Sequence, residues 1–194
     1  VEVALTKGVP GSIQTLLAEE RDKIAPQEAD TAVFYSISNC QSGLASISFG
    51  NSLIKQVAAD LALELPQLST FVTLSPIPGF ARWLEAEGHA PDVTDDARMA
   101  QLAAYYLTKA RRPNGAPQDP VARFHLGNGA LVHKVHARAD TSDKGMAQSG
   151  GVMVNYLYDL ARVSQNHEHF AADYQIAASS EIRSQAASAE KSFG

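Results

Sequence analysis

Apolar residues recur along this chain with two different periods, and the change from one to the other predicts where strands give way to helices. "VEVAL" (1–5) and "TAVFYSIS" (31–38) are rich in β-branched and aromatic residues and predict strands. Between them, Ser12 is placed to cap a short helix that leads into a polar loop closed by Pro26. From 49 to 65 the apolar residues Leu53, Ile54, Val57, Ala58, Leu61 and Leu65 recur at three and four, the spacing of an amphipathic helix, and Pro66 stops it. "STFVTLS" (69–75) then alternates, with Phe71, Thr73 and Ser75 on one face and Val72 and Leu74 on the other. A second helix is predicted over 94–110 from the stripe Met99, Leu102, Ala103, Tyr106 and Leu107. The proline-rich segment 111–120 predicts a loop, and "ARFHLGNGALVHKVHA" (122–137) two strands about an Asn128-Gly129 turn. Beyond it a small-residue loop (141–151), a strand (152–160) and a helical tail from Glu168 complete the expected order. Strands interspersed with helices, some hairpin-linked, point to an α/β (α+β) fold in which one mixed sheet is flanked by helices.

Composition narrows the function classes. With 16 Lys and Arg against 21 Asp and Glu, the formal charge is -5, so no broad basic field is available for a nucleic acid. The longest apolar runs fall well short of the roughly 20 residues that span a bilayer, so no membrane partner is expected. The single cysteine, Cys40, cannot close an internal disulfide, which fits a reducing compartment. At 194 residues the chain is expected to form one domain. Its opening at Val1, inside an alternating apolar segment, reads as the start of a fragment.

Three groups of residues could carry chemistry. The segment 38–56 passes from a strand into the first long helix through small residues, with Gly43 and Gly50 permitting close backbone approach. Free N–H groups and the positive dipole end suit a pyrophosphate there, but the segment is neither a P-loop nor a dinucleotide fingerprint, so plain turn chemistry stays an open reading. Ser75 and His125 both fall on predicted strands that one sheet could bring together, although a serine before proline is commonly a turn residue and a strand histidine commonly structural. His133 with His136, and His167 with His169, lack the spacing and nearby carboxylates of a metal site, and no metal is expected. Tyr156 and Tyr158 share one face of a strand, where packing is the simpler role.

The stretches "FYSISNCQSGL", "FGNSLIKQV", "TLSPIPGFARWL", "ARFHLGNGA" and "VNYLYDL", with "NHEHF" further on, together resemble the catalytic domain of malonyl-CoA decarboxylases, over about Val1 to Ser180. The resemblance implies a Gcn5-related N-acetyltransferase (GNAT) fold binding malonyl-CoA, with no separate cofactor, in a cytoplasmic homo-oligomer of longer subunits. It matches Ala45, Ser46, Ile47, Ser48, Phe49, Gly50 and Asn51 to the malonyl-CoA-binding loop, Ser75 and His125 to the catalytic serine and histidine, and Tyr158 to an active-site tyrosine. The chain departs from the family pattern at Ser48, where an acidic residue is usual, and at Lys134, Val135, His136 and Ala137. The chemistry implied is loss of carbon dioxide to leave a thioester enolate, whose carbon His125 protonates with help from Ser75. An N-acetyltransferase of the same fold and a non-catalytic acyl-CoA-binding module are the rival expectations. A transferase would need an acceptor site, and none is recognisable in the sequence.

Overall fold

The computed structural model describes residues 1–20, 24–36, 50–89 and 92–191. A mixed sheet forms the centre. Strand β1 (Glu2–Thr6) lies antiparallel to β2 (Thr31–Ser36), and β2 lies parallel to β3 (Thr70–Thr73). β3 and its short continuation β4 (Ser75–Pro76) both run antiparallel to β6 (Met153–Leu157), whose other edge carries β5 (Leu131–His136). The parallel step from β2 to β3 requires a crossover, and helix α2 (Gly50–Glu64) supplies it.

The alternation predicted for 69–75 decides which residues meet which layer. Phe71 enters the larger core, with Phe34, Tyr156 and Tyr158 on the same sheet face, against Ile54 and Ala58 of α2. Val72 and Leu74 enter a smaller core with Ala4, Val33 and Met153, covered by Leu16 of α1 (Ile13–Leu17). Ser12 caps α1 as expected, its side chain accepting the Thr15 N–H. Helix α3 (Phe80–Ala86) adds Phe80 and Leu84 to the larger core, and α4 (Asp96–Lys109) adds Met99, Leu102, Ala103, Tyr106 and Leu107, the whole predicted stripe. None of the described helices is long and apolar enough to cross a membrane.

The structure departs from the sequence-based expectation in three places. The first half of 122–137 is not a strand but helix α5 (Pro120–Gly127). Asp119 caps it, its Oδ1 accepting the Ala122 N–H at 2.8 Å, and Pro120 occupies the first turn, where its missing N–H costs nothing. Asn128-Gly129 therefore ends a helix before β5 instead of joining two strands, with Gly129 at φ +83°. Residues 141–151 are not a loop but hold α6 (Asp143–Ser149), capped by Ser142 and closed by left-handed Gly150. The tail is helical but broken: α7 (Val163–Asp173) stops at left-handed Tyr174, and α8 (Ser180–Glu190) restarts under the Ser179 cap.

Gly129 cannot be replaced without strain. Its φ is one that side chains rarely adopt, and a Cβ would run into the Val163 carbonyl of α7. Gly129→Ala is expected to cost roughly 2–4 kcal/mol, measured as a fall in the urea midpoint at unchanged slope.

Candidate active site

The parallel pairing of β2 with β3 ends at one hydrogen bond, Leu74 N–H to Phe34 C=O at 3.1 Å. Past it the strands part: β2 continues along β1, with Ser36 opposite Glu2, while Ser75 and Pro76 continue along β6, opposite Val154 and Met153. A pocket of about 360 Å³ lies at this fork, lined by Phe34, Tyr35, Leu74, Ser75 and Pro76 from the strands and by Pro120, Val121, Phe124 and His125 from α5. None of these nine carries a positive side chain apart from the titratable His125.

Ser75 is held at the fork by its neighbours. Pro76 biases it to an extended backbone and offers no N–H, so it can follow only where no ladder donor is needed. Ile77 is fully buried, and Gly79 opens α3. The φ of Gly79 is an ordinary -99°, so it is not the turn that calls for glycine there. The demand comes from packing, since a Cβ would sit 2.5 Å from the Tyr106 hydroxyl.

His125 approaches from the last turn of α5, not from a strand, and reaches the pocket because Asp119 and Pro120 start the helix where they do. Its Nε2 lies 3.2 Å from Ser75 Oγ, and its Nδ1 lies 2.9 Å from the hydroxyl of Tyr158, just past the end of β6. Its ring stacks on Tyr156 with centroids 4.5 Å apart. Ser75 Oγ is also 2.8 Å from Thr73 Oγ1. The structure thus joins Ser75, His125 and Tyr158 into one buried hydrogen-bonded row.

Burial governs the electrostatics of this row. His125 is 3% exposed, and burial pushes its imidazole down to about 3. A helix C-terminus favours a cation by at most about 2 kcal/mol, less than a depression of more than three units at about 1.4 kcal/mol each, so the ring is neutral near pH 7. Burial also raises the phenols of Tyr158 and Tyr156, the latter helped by the Asp119 carboxylate, and raises Asp119 itself. The row is uncharged throughout.

Of the residues matched to the malonyl-CoA-binding loop, Gly50 and Asn51 open α2, while Ala45, Ser46, Ile47, Ser48 and Phe49 lie outside the described residues. Among the described residues no three His, Cys, Asp or Glu side chains converge as metal ligands. His136 Nε2 instead meets Asn155 Oδ1 at 2.5 Å, and His167 Nδ1 donates to the Gly127 carbonyl at 2.6 Å. Sequence reasoning missed Thr73, Tyr156 as the platform for His125, and the wall of Val121 and Phe124. The Asp119-Pro120 pair, a capping residue followed by a first-turn proline, was the signal that would have moved His125 onto a helix.

The family model for the malonyl-CoA decarboxylase C-terminal domain matches residues 1–97 and 89–193. The chain belongs to this family. Malonyl-CoA decarboxylase, mitochondrial, from Anser anser anser is 32% identical over 232 residues, covering 95% of this chain and 46% of the relative. The crystal structure of malonyl-CoA decarboxylase from Rhodopseudomonas palustris superposes with a TM-score of 0.86 at 48% identity, over 94% of this chain and 48% of that one. The chain therefore spans about half the length of these relatives. A GNAT-like decarboxylase, GphF, solved in complex with isobutyryl-CoA, aligns at 22% identity with a TM-score of 0.55, over 80% of this chain and 69% of that one. The shared architecture is the GNAT-like fold, as expected.

Neutral His125 makes a stability prediction. Its folded pKa is depressed, so the stability it contributes is present above about 6.5 and is lost as pH falls toward 3, because the unfolded chain takes up the proton first. The difference in unfolding free energy between the wild type and His125→Gln is expected to fall by about 1.4 kcal/mol per pH unit between pH 6 and 4. Urea titrations at stepped pH measure it, and a pH-independent difference would contradict a buried neutral ring.

Proposed function

We propose that the full-length protein converts malonyl-CoA to acetyl-CoA and carbon dioxide, with Ser75, His125 and Tyr158 as its proton-handling row. The observation that carries the reading is that row, placed at the strand fork of a chain that belongs to the malonyl-CoA decarboxylase family. The fork suits an extended pantetheine arm, since beyond Leu74 and Phe34 the two strands leave a gap no ladder closes. Gly50 and Asn51, at the start of the crossover helix, would face the pyrophosphate.

Decarboxylation needs the C–COO⁻ bond to stand across the plane of the thioester, so that its electron pair can enter the carbonyl as carbon dioxide leaves. Phe34, Leu74, Val121 and Phe124 give the carboxylate an apolar wall, and among the described lining residues there is no Lys or Arg. A carboxylate in that setting loses hydration, whereas neutral carbon dioxide has little to lose, and this difference favours the transition state over the ground state. The enolate must then be protonated on carbon. Both ring nitrogens of His125 are already engaged, Nε2 with Ser75 and Nδ1 with Tyr158, so a proton from His125 reaches the pocket through Ser75 Oγ. The Ser75 O–H bond breaks toward the α-carbon, His125 Nε2–H passes to the oxygen and the Tyr158 O–H passes to Nδ1, so that the ring stays neutral and the enolate's negative charge ends on the phenolate. Solvent makes good the proton as acetyl-CoA departs. One malonyl-CoA and one proton give one acetyl-CoA and one carbon dioxide.

Carbon dioxide release from malonyl-CoA by the full-length protein, with no amine present, tests this reading against an acetyltransferase or a simple binder. Ser75→Ala and His125→Ala are expected to lower kcat by about 10²–10⁴-fold, and Tyr158→Phe by roughly tenfold. The kcat profile is expected to lack a His125 inflection near 6.5, because the ring stays neutral above about 3. Wild-type turnover in Ser75→Ala would sink the assignment.

A further inference from the structure

The ladder between β3/β4 and β6 keeps one register, with Val72 opposite Leu157, Ser75 opposite Val154 and Pro76 opposite Met153, which sets Thr73 opposite Tyr156. At that point a side chain replaces the backbone bond. The Tyr156 N–H donates to Thr73 Oγ1 at 3.1 Å, and the Thr73 carbonyl instead accepts the Asn155 amide at 2.8 Å. Asn155 is itself held by Pro10 C=O and His136.

A hydroxyl has one proton and two lone pairs, and two hydroxyls 2.8 Å apart can share a bond in either sense. Here the surroundings decide the sense. A backbone N–H can only donate, so one lone pair of Thr73 Oγ1 is taken. Thr73 is 0% exposed, and a buried hydroxyl proton left without an acceptor costs about 1–3 kcal/mol. The acceptor in reach among the described residues is Ser75 Oγ. Thr73 therefore donates to Ser75. By the same reasoning the buried Tyr158 O–H donates to His125 Nδ1, its partner in reach among the described residues, which puts the ring proton on Nε2. The second lone pair of Ser75 then takes Nε2–H at 3.2 Å, and the Ser75 proton is left to point into the pocket that Ser75 lines.

We propose that Thr73 is a positioning residue of the site: its hydroxyl, fixed as a donor by the Tyr156 N–H, aims the Ser75 O–H at the acyl group and stabilises the charge that gathers on Oγ as the proton leaves. The proposal rests on the proton path given under Proposed function. It adds a residue that acts only through Ser75 and touches no substrate. The charge it meets is transient, because His125 passes its Nε2 proton to the same oxygen and the charge moves on to Tyr158.

Kinetics of full-length Thr73→Val, Thr73→Ser, Ser75→Ala and Thr73→Val/Ser75→Ala, with malonyl-CoA as substrate, test it. Thr73→Val is expected to lower kcat roughly 10- to 100-fold with KM changed less than about threefold. Thr73→Ser should stay within about threefold of the wild type, and Thr73→Val should add no loss to Ser75→Ala. A Thr73→Val enzyme with more than half the wild-type kcat, or a further tenfold loss on top of Ser75→Ala, overturns the proposal. Should Thr73→Val fail to fold, Thr73→Ser decides: a folded variant that keeps kcat supports the hydroxyl's role, and one slowed more than tenfold refutes it. If Ser75→Ala itself turns over normally, the proton path fails. If only the Thr73 variants behave as the wild type, the path stands and Thr73 is structural.

Discussion

The hydrogen bond from Leu74 N–H to Phe34 C=O is the point from which the rest of the site is measured. Up to it, β2 and β3 form an ordinary parallel pair with both faces covered, as parallel strands require. Beyond it each strand has a different partner, and the sheet opens. The opening is tolerated because Pro76 has no N–H to satisfy and because Thr73 and Asn155 replace missing ladder bonds with side-chain ones. The same substitutions that keep the fork satisfied also bring Ser75 to its edge. Stability and chemistry draw on one set of residues here.

The site trades charge for order. Ser75, His125 and Tyr158, with no ion pair among them, form a buried row whose members are polar but neutral at rest, and burial enforces that neutrality. Such a row suits the proposed delivery of a proton to the carbon of a basic enolate, because the enolate supplies the driving force and the row need supply only a path.

Much of this is legible in the sequence. The alternation in 69–75 sets Phe71 on one face and Val72 and Leu74 on the other, and the two cores separate them in that way. The periodic stripes of the two long helices were equally clear, since long amphipathic segments average over local exceptions. His125 was on the wrong element because Asn128-Gly129 is a strong hairpin signal and the eight-residue helix before it is short, with a pattern that fits either period. Residues 141–151 were lost to the same bias, in which glycine and serine outweighed a cap. The joining of Ser75 to His125 was not readable from periodicity, because it depends on tertiary packing of α5 against β6. Family resemblance supplied the pairing, and the geometry supplies its physical reason.

Ser75 and His125 are 50 residues apart, and His125 and Tyr158 are 33 apart. No local segment of the chain contains two of the three, and the row exists only when β3, α5 and β6 have all docked. Closing such distant contacts is the slow part of folding a mixed sheet, since loop entropy is lost before packing returns it. A nascent or partly folded chain can thus hold its long helices and still lack any trace of the Ser75–His125–Tyr158 row, which is confined to molecules whose central sheet is complete.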